Sequence, residues 1–418
     1  MQLIDVSPQA WVSRRGLQRC VALAVFLFLP LASLYASAGG VVFWALALVG
    51  VVLCFDRSGN PSRIHSLSRA TWSLLLIACL LPVLLNLASV LYFGLPARRV
   101  SWLPFVGALF IVIAVFVSGI SIKPLVLGAT LASFVLLFIT ALAVFSYGHE
   151  RPSLTMNALL YGKVSVVTML ITAWGLGDED DRPKRVLMGV SLLAGLAALL
   201  LTGYRGGWLA LPVVVLALWL NPKAKIKVSA ARTRRTVFAM IMAVTAVAIV
   251  SANFSALERV QKLSLELQAY ESGVVNNSSV GSRLAMWKSA SRMYREHPLF
   301  GVGAHEYHAQ LKQMQAQGDY PADAKLYRHA HNTVLNVAAE YGTIGLLVLL
   351  IAGMAAVRLY LASPKRYRQL GLLLLACWLL MALTNDVLAH QTLMRTMAFG
   401  FAVCLAVGLR SNGTPTGS

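Results

Sequence analysis

Long, nearly uncharged apolar stretches recur along this 418-residue chain, and they leave few folds open to it. Residues 17–36, 40–55 and 124–146 carry almost no charge. At about 1.5 Å per helical residue, each such stretch matches a hydrocarbon core of about 30 Å. Twelve segments fit this description: 17–36, 39–55, 70–93, 101–119, 124–146, 156–176, 185–202, 206–221, 236–254, 332–357, 369–386 and 390–409. The composition agrees, with 58% hydrophobic residues, 12% charged residues and a mean hydropathy of +0.70, where a soluble domain is about a quarter charged. The expected fold is therefore all-α, a polytopic transmembrane bundle of about twelve spans in a lipid bilayer. The first span is too long for a cleavable signal, and a second follows almost at once.

The net charge of +20 first suggests nucleic acid, but its distribution argues otherwise. With the N-terminus inside, Lys and Arg concentrate in the segments on one side of the membrane, including the run 223–235, while the short opposite loops hold only Arg98, Arg99, Arg151 and Arg205. That asymmetry is a topology signal, with both termini cytoplasmic and no nucleic-acid partner. All five cysteines fall inside expected spans, so neither a disulfide framework nor a thiolate metal site is implied.

The spacing divides the chain into helices 1–9 over residues 1–254, a periplasmic loop over 255–331, helices 10–12 over 332–410 and a polar, Gly-rich tail, 411–418, which is set aside. Long loops in compact proteins are usually functional or disordered, and this one has helical periodicity. Residues 256–271 carry Leu257, Val260 and Leu267 with a Glu258/Lys262 pair at i,i+4. Residues 282–296 place Leu284, Trp287, Ser291 and Tyr294 on one face and Lys288, Arg292 and Arg295 on another. Such a helix either lies in the membrane interface or packs on the bundle. Gly301 and Gly303 read as a turn, since no strand precedes them and no third glycine follows.

Ionisable residues at the membrane are costly, which makes each a functional candidate. His329-Ala330-His331-Asn332 opens the tenth span, and Asn336, Glu340 and Thr343 extend a polar stripe along it that must face protein or water. Asn332 also suits a helix N-cap, and the histidines suit either catalysis or interfacial hydrogen bonding. Arg205 stands in the tight turn Tyr204-Arg205-Gly206-Gly207-Trp208, where glycines allow close backbone approach and a guanidinium offers two donors to phosphate oxygens. Arg283 starts the amphipathic helix on the same side. Arg395 in the last span, with Asp386 and His390 nearby, is either a structural ion pair or part of the same anion site. The acidic run Asp178, Glu179, Asp180 and Asp181 contains a DxD, but it falls beside Arg182, Lys184 and Arg185 on the opposite side, as a solvated acidic turn would. No metal-binding spacing appears, and no cofactor is expected. Lys163, within the sixth span, is left without a role.

Taken in order, Gly281-Ser282-Arg283-Leu284-Ala285-Met286-Trp287, His297-Pro298-Leu299-Phe300-Gly301-Val302-Gly303, His329-Ala330-His331-Asn332 and Glu340-Tyr341-Gly342-Thr343-Ile344-Gly345 closely resemble the O-antigen ligase and O-antigen polymerase superfamily of bacterial inner membranes. The likeness is strongest over residues 205–345; elsewhere it rests on span number and the single large loop. The resemblance implies a metal-independent glycosyltransferase that moves a finished glycan from undecaprenyl pyrophosphate to a sugar hydroxyl of lipid A-core, in lipopolysaccharide assembly on the periplasmic face of the inner membrane. Carried onto this chain, it implies that the family's arginines are Arg205 and Arg283 and that its histidine beside Asn is His331. The expected roles are that Arg205 and Arg283 grip the donor pyrophosphate and His331 assists deprotonation of the acceptor, with Tyr204, His329, Asn332 and Arg395 as further candidates for the substrate site.

Elementary chemistry fits that implication. Displacing pyrophosphate needs fixed positive charge near the departing oxygens, and a sugar hydroxyl benefits from a base near pH 7. A single in-line displacement inverts the anomeric centre. The rivals are an O-antigen polymerase, a protein O-oligosaccharyltransferase and, from another class, a transporter or flippase. Against the last, no paired interrupted repeats are found.

Overall fold

The computed structural model describes residues 14–55, 66–148, 154–220, 279–321 and 324–412, and every regular element among them is helical. The expected ninth span, 236–254, and the expected helix over 256–271 lie outside the described residues. The helices are α1 (Arg14–Leu34), α2 (Ala36–Phe55), α3 (Arg69–Tyr92), α4 (Pro104–Ser118), α5 (Lys123–Ala141), α6 (Ala158–Gly175), α7 (Arg182–Leu201) and α8 (Leu211–Trp219), followed by α9 (Ser279–Glu296), α10 (Tyr307–Ala316), α11 (Thr333–Leu361), α12 (Lys365–Thr384) and α13 (Gln391–Asn412). Among the described residues nine helices are long and apolar enough to cross a membrane, while Pro104–Ser118 and Gly206–Trp219 are shorter. The chain is a multi-pass membrane protein. Of the about twelve spans expected, these eleven helices occupy the places of all but the one outside the described residues.

Burial explains the short α4. Twelve of its fifteen residues are buried, so protein rather than lipid surrounds it and its ends need not reach both interfaces. It packs between α2 and α13, while α1 lies on α5, α3 on α11, and α6 against α5 and α7. The most enclosed spans, α6 and α13, are less apolar than the peripheral α2 and α3. Ser165, Thr168 and Thr172 are all buried in α6, and Ser133 of α5 donates to Thr168 Oγ1 at 3.2 Å. This is how bundles in lipid associate, since apolar side chains gain little by leaving hydrocarbon and small or polar residues supply close contacts instead.

The start of α6 is fixed twice. Asn157 caps it, accepting from the Leu159 N–H at 2.7 Å, and the buried Tyr161 hydroxyl accepts from the backbone of Thr155 and Met156 at 3.0 and 3.1 Å. Lys163 follows two residues later.

Helix α11 is broken at Gly342, which has φ 63 and ψ −158. The segment after α9 crosses it there, backbone on backbone. The carbonyls of Ala339 and Glu340 accept from Val302 and Gly303 N–H at 2.9 and 3.0 Å, and Thr343 N–H donates to the Pro298 carbonyl at 2.8 Å. Groups released by the break are thus satisfied across the chain. A side chain at Gly301 would strike the Ala339–Tyr341 backbone, and one at Gly342 would strike Leu299. The GxG is therefore a turn, as expected, and its physical purpose is the crossing.

Candidate active site

The His329 turn is built from both sides. Ala330, fully buried, receives an indole hydrogen bond from Trp287 of α9 on its carbonyl at 3.0 Å and gives its N–H to Asn336 Oδ1 at 3.1 Å. Asn336 also bonds Glu340, whose buried carboxylate accepts from the backbone of His305 and Tyr307 at the start of α10. With Ala330 held, the flanking imidazoles turn to one side, and their ring centroids are 4.4 Å apart. His331 is in the left-handed region at φ 51, where only one other described non-glycine residue lies, His305 at φ 58. A β-carbon makes that conformation costly, so it persists only where surrounding contacts impose it, most often at functional sites.

Because Trp287 is pinned to this turn, Arg283 one helical turn earlier lies on the same side of α9, exposed and close enough to act electrostatically on His331 and Tyr204. From α12 and its following loop come Thr384, Asn385 and Asp386; from the start of α13 comes His390, its ring 5.4 Å from that of His329. Asn385 hydrogen-bonds the His331 side chain. The loop is fixed by Thr333, whose hydroxyl donates to Asn385 O at 3.1 Å and accepts from Val387 N–H at 3.0 Å. Behind these lies Tyr204, buried, with its hydroxyl 3.2 Å from Thr384 Oγ1 and its ring 5.8 Å from Lys163 Nζ.

Burial governs the site's titration. It lowers His331 to about 4, with Arg283 and Lys163 adding to the shift and the Asn385 hydrogen bond opposing it. It lowers His390 to about 3 and His329 to about 2, with neighbouring positive charge adding to each shift. It also raises Asp386 to about 6, against the pull of hydrogen bonds from Leu388 and Ala389 N–H and of Lys163. The expectation of an imidazole near pH 7 is therefore not what the protein alone gives: all three histidines are neutral at pH 7, with lone pairs available but weakly basic.

The structure sorts the sequence candidates. It brings His329, His331, Arg283 and Tyr204 together, with Asp386 and His390. Asn332 is chiefly architectural: its side chain caps α11 by accepting from Leu335 N–H at 3.1 Å and donates to Leu383 O at 3.2 Å. Arg205 opens the 3-10 turn Arg205–Ala210 beside Tyr204; its side chain lies outside what is described. The glycines around it, read as room for a ligand, instead make room for Tyr204, whose ring a side chain at Gly162, Gly206 or Gly207 would hit. Arg395 turns toward α2, its guanidinium against Gly40 and its Nε donating to Gln391 O at 3.1 Å. The predicted helix over 282–296 forms and packs on α11, burying Ser282, Ala285, Met286, Ser289, Ala290 and Met293, while Leu284, Trp287 and Tyr294 of its aromatic-apolar face are half-buried. The residue that sequence reasoning left unassigned is Lys163, and its signal was the bare fact of a lysine inside a span.

Comparison with known proteins points to the same stretch. A protein of Haemophilus influenzae described only as uncharacterized is 26% identical over 217 residues, which is 50% of this chain and 52% of that protein; the match thus spans about half of the relative's length. The sequence model of the family described as O-Antigen ligase matches residues 190–350, which include Tyr204, Arg283 and the His329 turn. That match, over residues 190–350, supports membership of the O-antigen ligase superfamily.

Proposed function

We propose that this protein is a glycosyltransferase of the inner membrane that transfers a glycan from undecaprenyl pyrophosphate to a sugar hydroxyl of lipid A-core, with its active site on the periplasmic end of the bundle. The observation that carries the reading is the meeting of Arg283 with neutral, strained His331 inside the family-matched stretch. In the reaction the acceptor oxygen bonds to the anomeric carbon as the bond from that carbon to the pyrophosphate oxygen breaks. His331 takes the hydroxyl proton, Arg283 and Arg205 hold the departing pyrophosphate, and the anomeric configuration inverts. His331 alone is a weak base, but a docked pyrophosphate brings negative charge beside it and raises its proton affinity toward the working pH. Binding the donor thereby activates the base.

The test is reconstituted transfer from undecaprenyl-pyrophosphate glycan to purified lipid A-core, with and without a chelator. Transfer that survives chelation is expected. Extension of the glycan on its own carrier, or transfer to a pilin-like protein, would assign the chain to a polymerase or a protein O-oligosaccharyltransferase, and accumulation in vesicles without transfer would make it a transporter.

A further inference from the structure

Lys163 is fully buried in α6, one of the two most enclosed spans, and its Nζ has no hydrogen-bond partner among the described residues. An ammonium carries three donors, and leaving them unmet inside a membrane protein is expensive. Among the described residues five buried side-chain atoms are unpartnered in this way, and Lys163 Nζ is the only ionisable one of them. Two of the others, Trp208 Nε1 and Ser282 Oγ, lie in the Arg205 turn and next to Arg283. Unmet polar groups thus gather on the elements that build the site, where unsatisfied groups call for a specific explanation.

Asp386 is the obvious counter-ion, but its carboxylate already accepts from Leu388 N–H at 3.0 Å and from Ala389 N–H. It attracts the lysine from a distance, with no ion pair formed among the described residues. The other groups facing Lys163 are the Tyr204 ring and the three neutral imidazoles, all within electrostatic range. The neighbouring Glu340 is held by Asn336 and by the His305 and Tyr307 backbone, so neither carboxyl group pairs with Lys163.

We propose that Lys163 is a further anion-binding residue of the site, its ammonium reaching a pyrophosphate from inside the bundle while Arg283 reaches it from α9. The inference rests on reading this end as a donor site, and it adds a contact from a span well before the family-matched stretch. A lysine suits an interior position because its compact charge on a flexible stem adapts to a phosphate that arrives and leaves.

The experiment uses the full-length protein in detergent, inorganic pyrophosphate as probe and thermal stabilisation as readout, with glycan transfer measured in parallel. Lys163→Met is expected to weaken pyrophosphate binding at least tenfold, and Lys163→Arg to retain part of it. Adding Asp386→Asn to Lys163→Met is expected to leave binding weak. Lys163→Gln takes the place of the methionine variant if that one does not fold. Wild-type affinity in Lys163→Met, its recovery in the double variant, or no pyrophosphate binding by the unaltered protein would each overturn the assignment; recovery in the double variant would make the lysine a counter-ion to Asp386. Lysine-dependent pyrophosphate binding without transfer to any acceptor would uphold the anion site and end the glycosyltransferase reading, and transfer with lysine-independent binding would do the reverse.

Discussion

Charged residues crowd both ends of this bundle, and the two ends treat them differently. At the end carrying the acidic run, opposite charges find one another. Asp178 pairs with Arg366, which also covers the Trp174 ring at 4.8 Å. Lys184 lies 3.3 Å from Asp181, and Arg185 donates to Glu179 O at 2.9 and 2.6 Å. The ion pairs are partly exposed, and each contributes about 0–1 kcal/mol. At the His329 end, Arg283, Lys163 and three histidines surround one carboxylate that is already hydrogen-bonded. Matched, solvated charge is scaffold; on the proposed reading, a buried lysine without a partner and an exposed arginine near it form a receptor for an anion.

The contrast breaks first at the His329 end. Replacing His331 by Ala removes the base and should lower transfer by about 10²–10⁴-fold while pyrophosphate still stabilises the protein against heat; turnover near wild type would strike the residue from the mechanism. Arg283→Ala should lower transfer by about 10²–10³-fold and weaken pyrophosphate binding as well, because it removes charge from the leaving group in both ground and transition states. A binding curve unchanged in this variant would separate the arginine from the donor.

A smaller effect appears in the pH profile. Protonation removes the base, so the rate falls as pH drops through the His331 pKa, which is about 4 in the free protein. The acid limb of kcat/KM should therefore lie well below 6.5, and that of kcat should lie higher, since the bound pyrophosphate favours the imidazolium. Coincident limbs near 6.5 would mean that the imidazole is solvated rather than buried. The smallest effect belongs to the other end: Asp180→Ala should change transfer by less than about twofold and stability by less than about 1 kcal/mol. A large loss of activity there, reversed by added divalent cation, would turn the acidic run from scaffold into a metal site and undo the contrast.

Particular elements show how far the sequence reached. The cap of α11 by Asn332, the helix ending at Glu296 and the GxG turn were all legible, because caps, periodicity and glycine act over a few residues. The buried face of α9 was not legible, since small residues and methionines that pack tightly against α11 look less like a core than Leu284 or Trp287 do. Arg395 and Asp386 are neighbours in sequence and look alike as candidates; only packing sent the arginine to Gly40 and kept the aspartate at the site.

What the sequence by itself determined was a membrane bundle and the places of its spans. Lipid offers no partner for a bare peptide group, so each crossing must be a largely apolar helix whose backbone groups are satisfied within the protein, and that requirement is written into the linear order of residues. What only the tertiary structure decided was the company each polar residue keeps. Lys163, Tyr204, Arg283, His331 and Asp386 come from five separate stretches of chain. Their meeting depends on how α6, α9, α11 and α12 pack against one another, which no local pattern records.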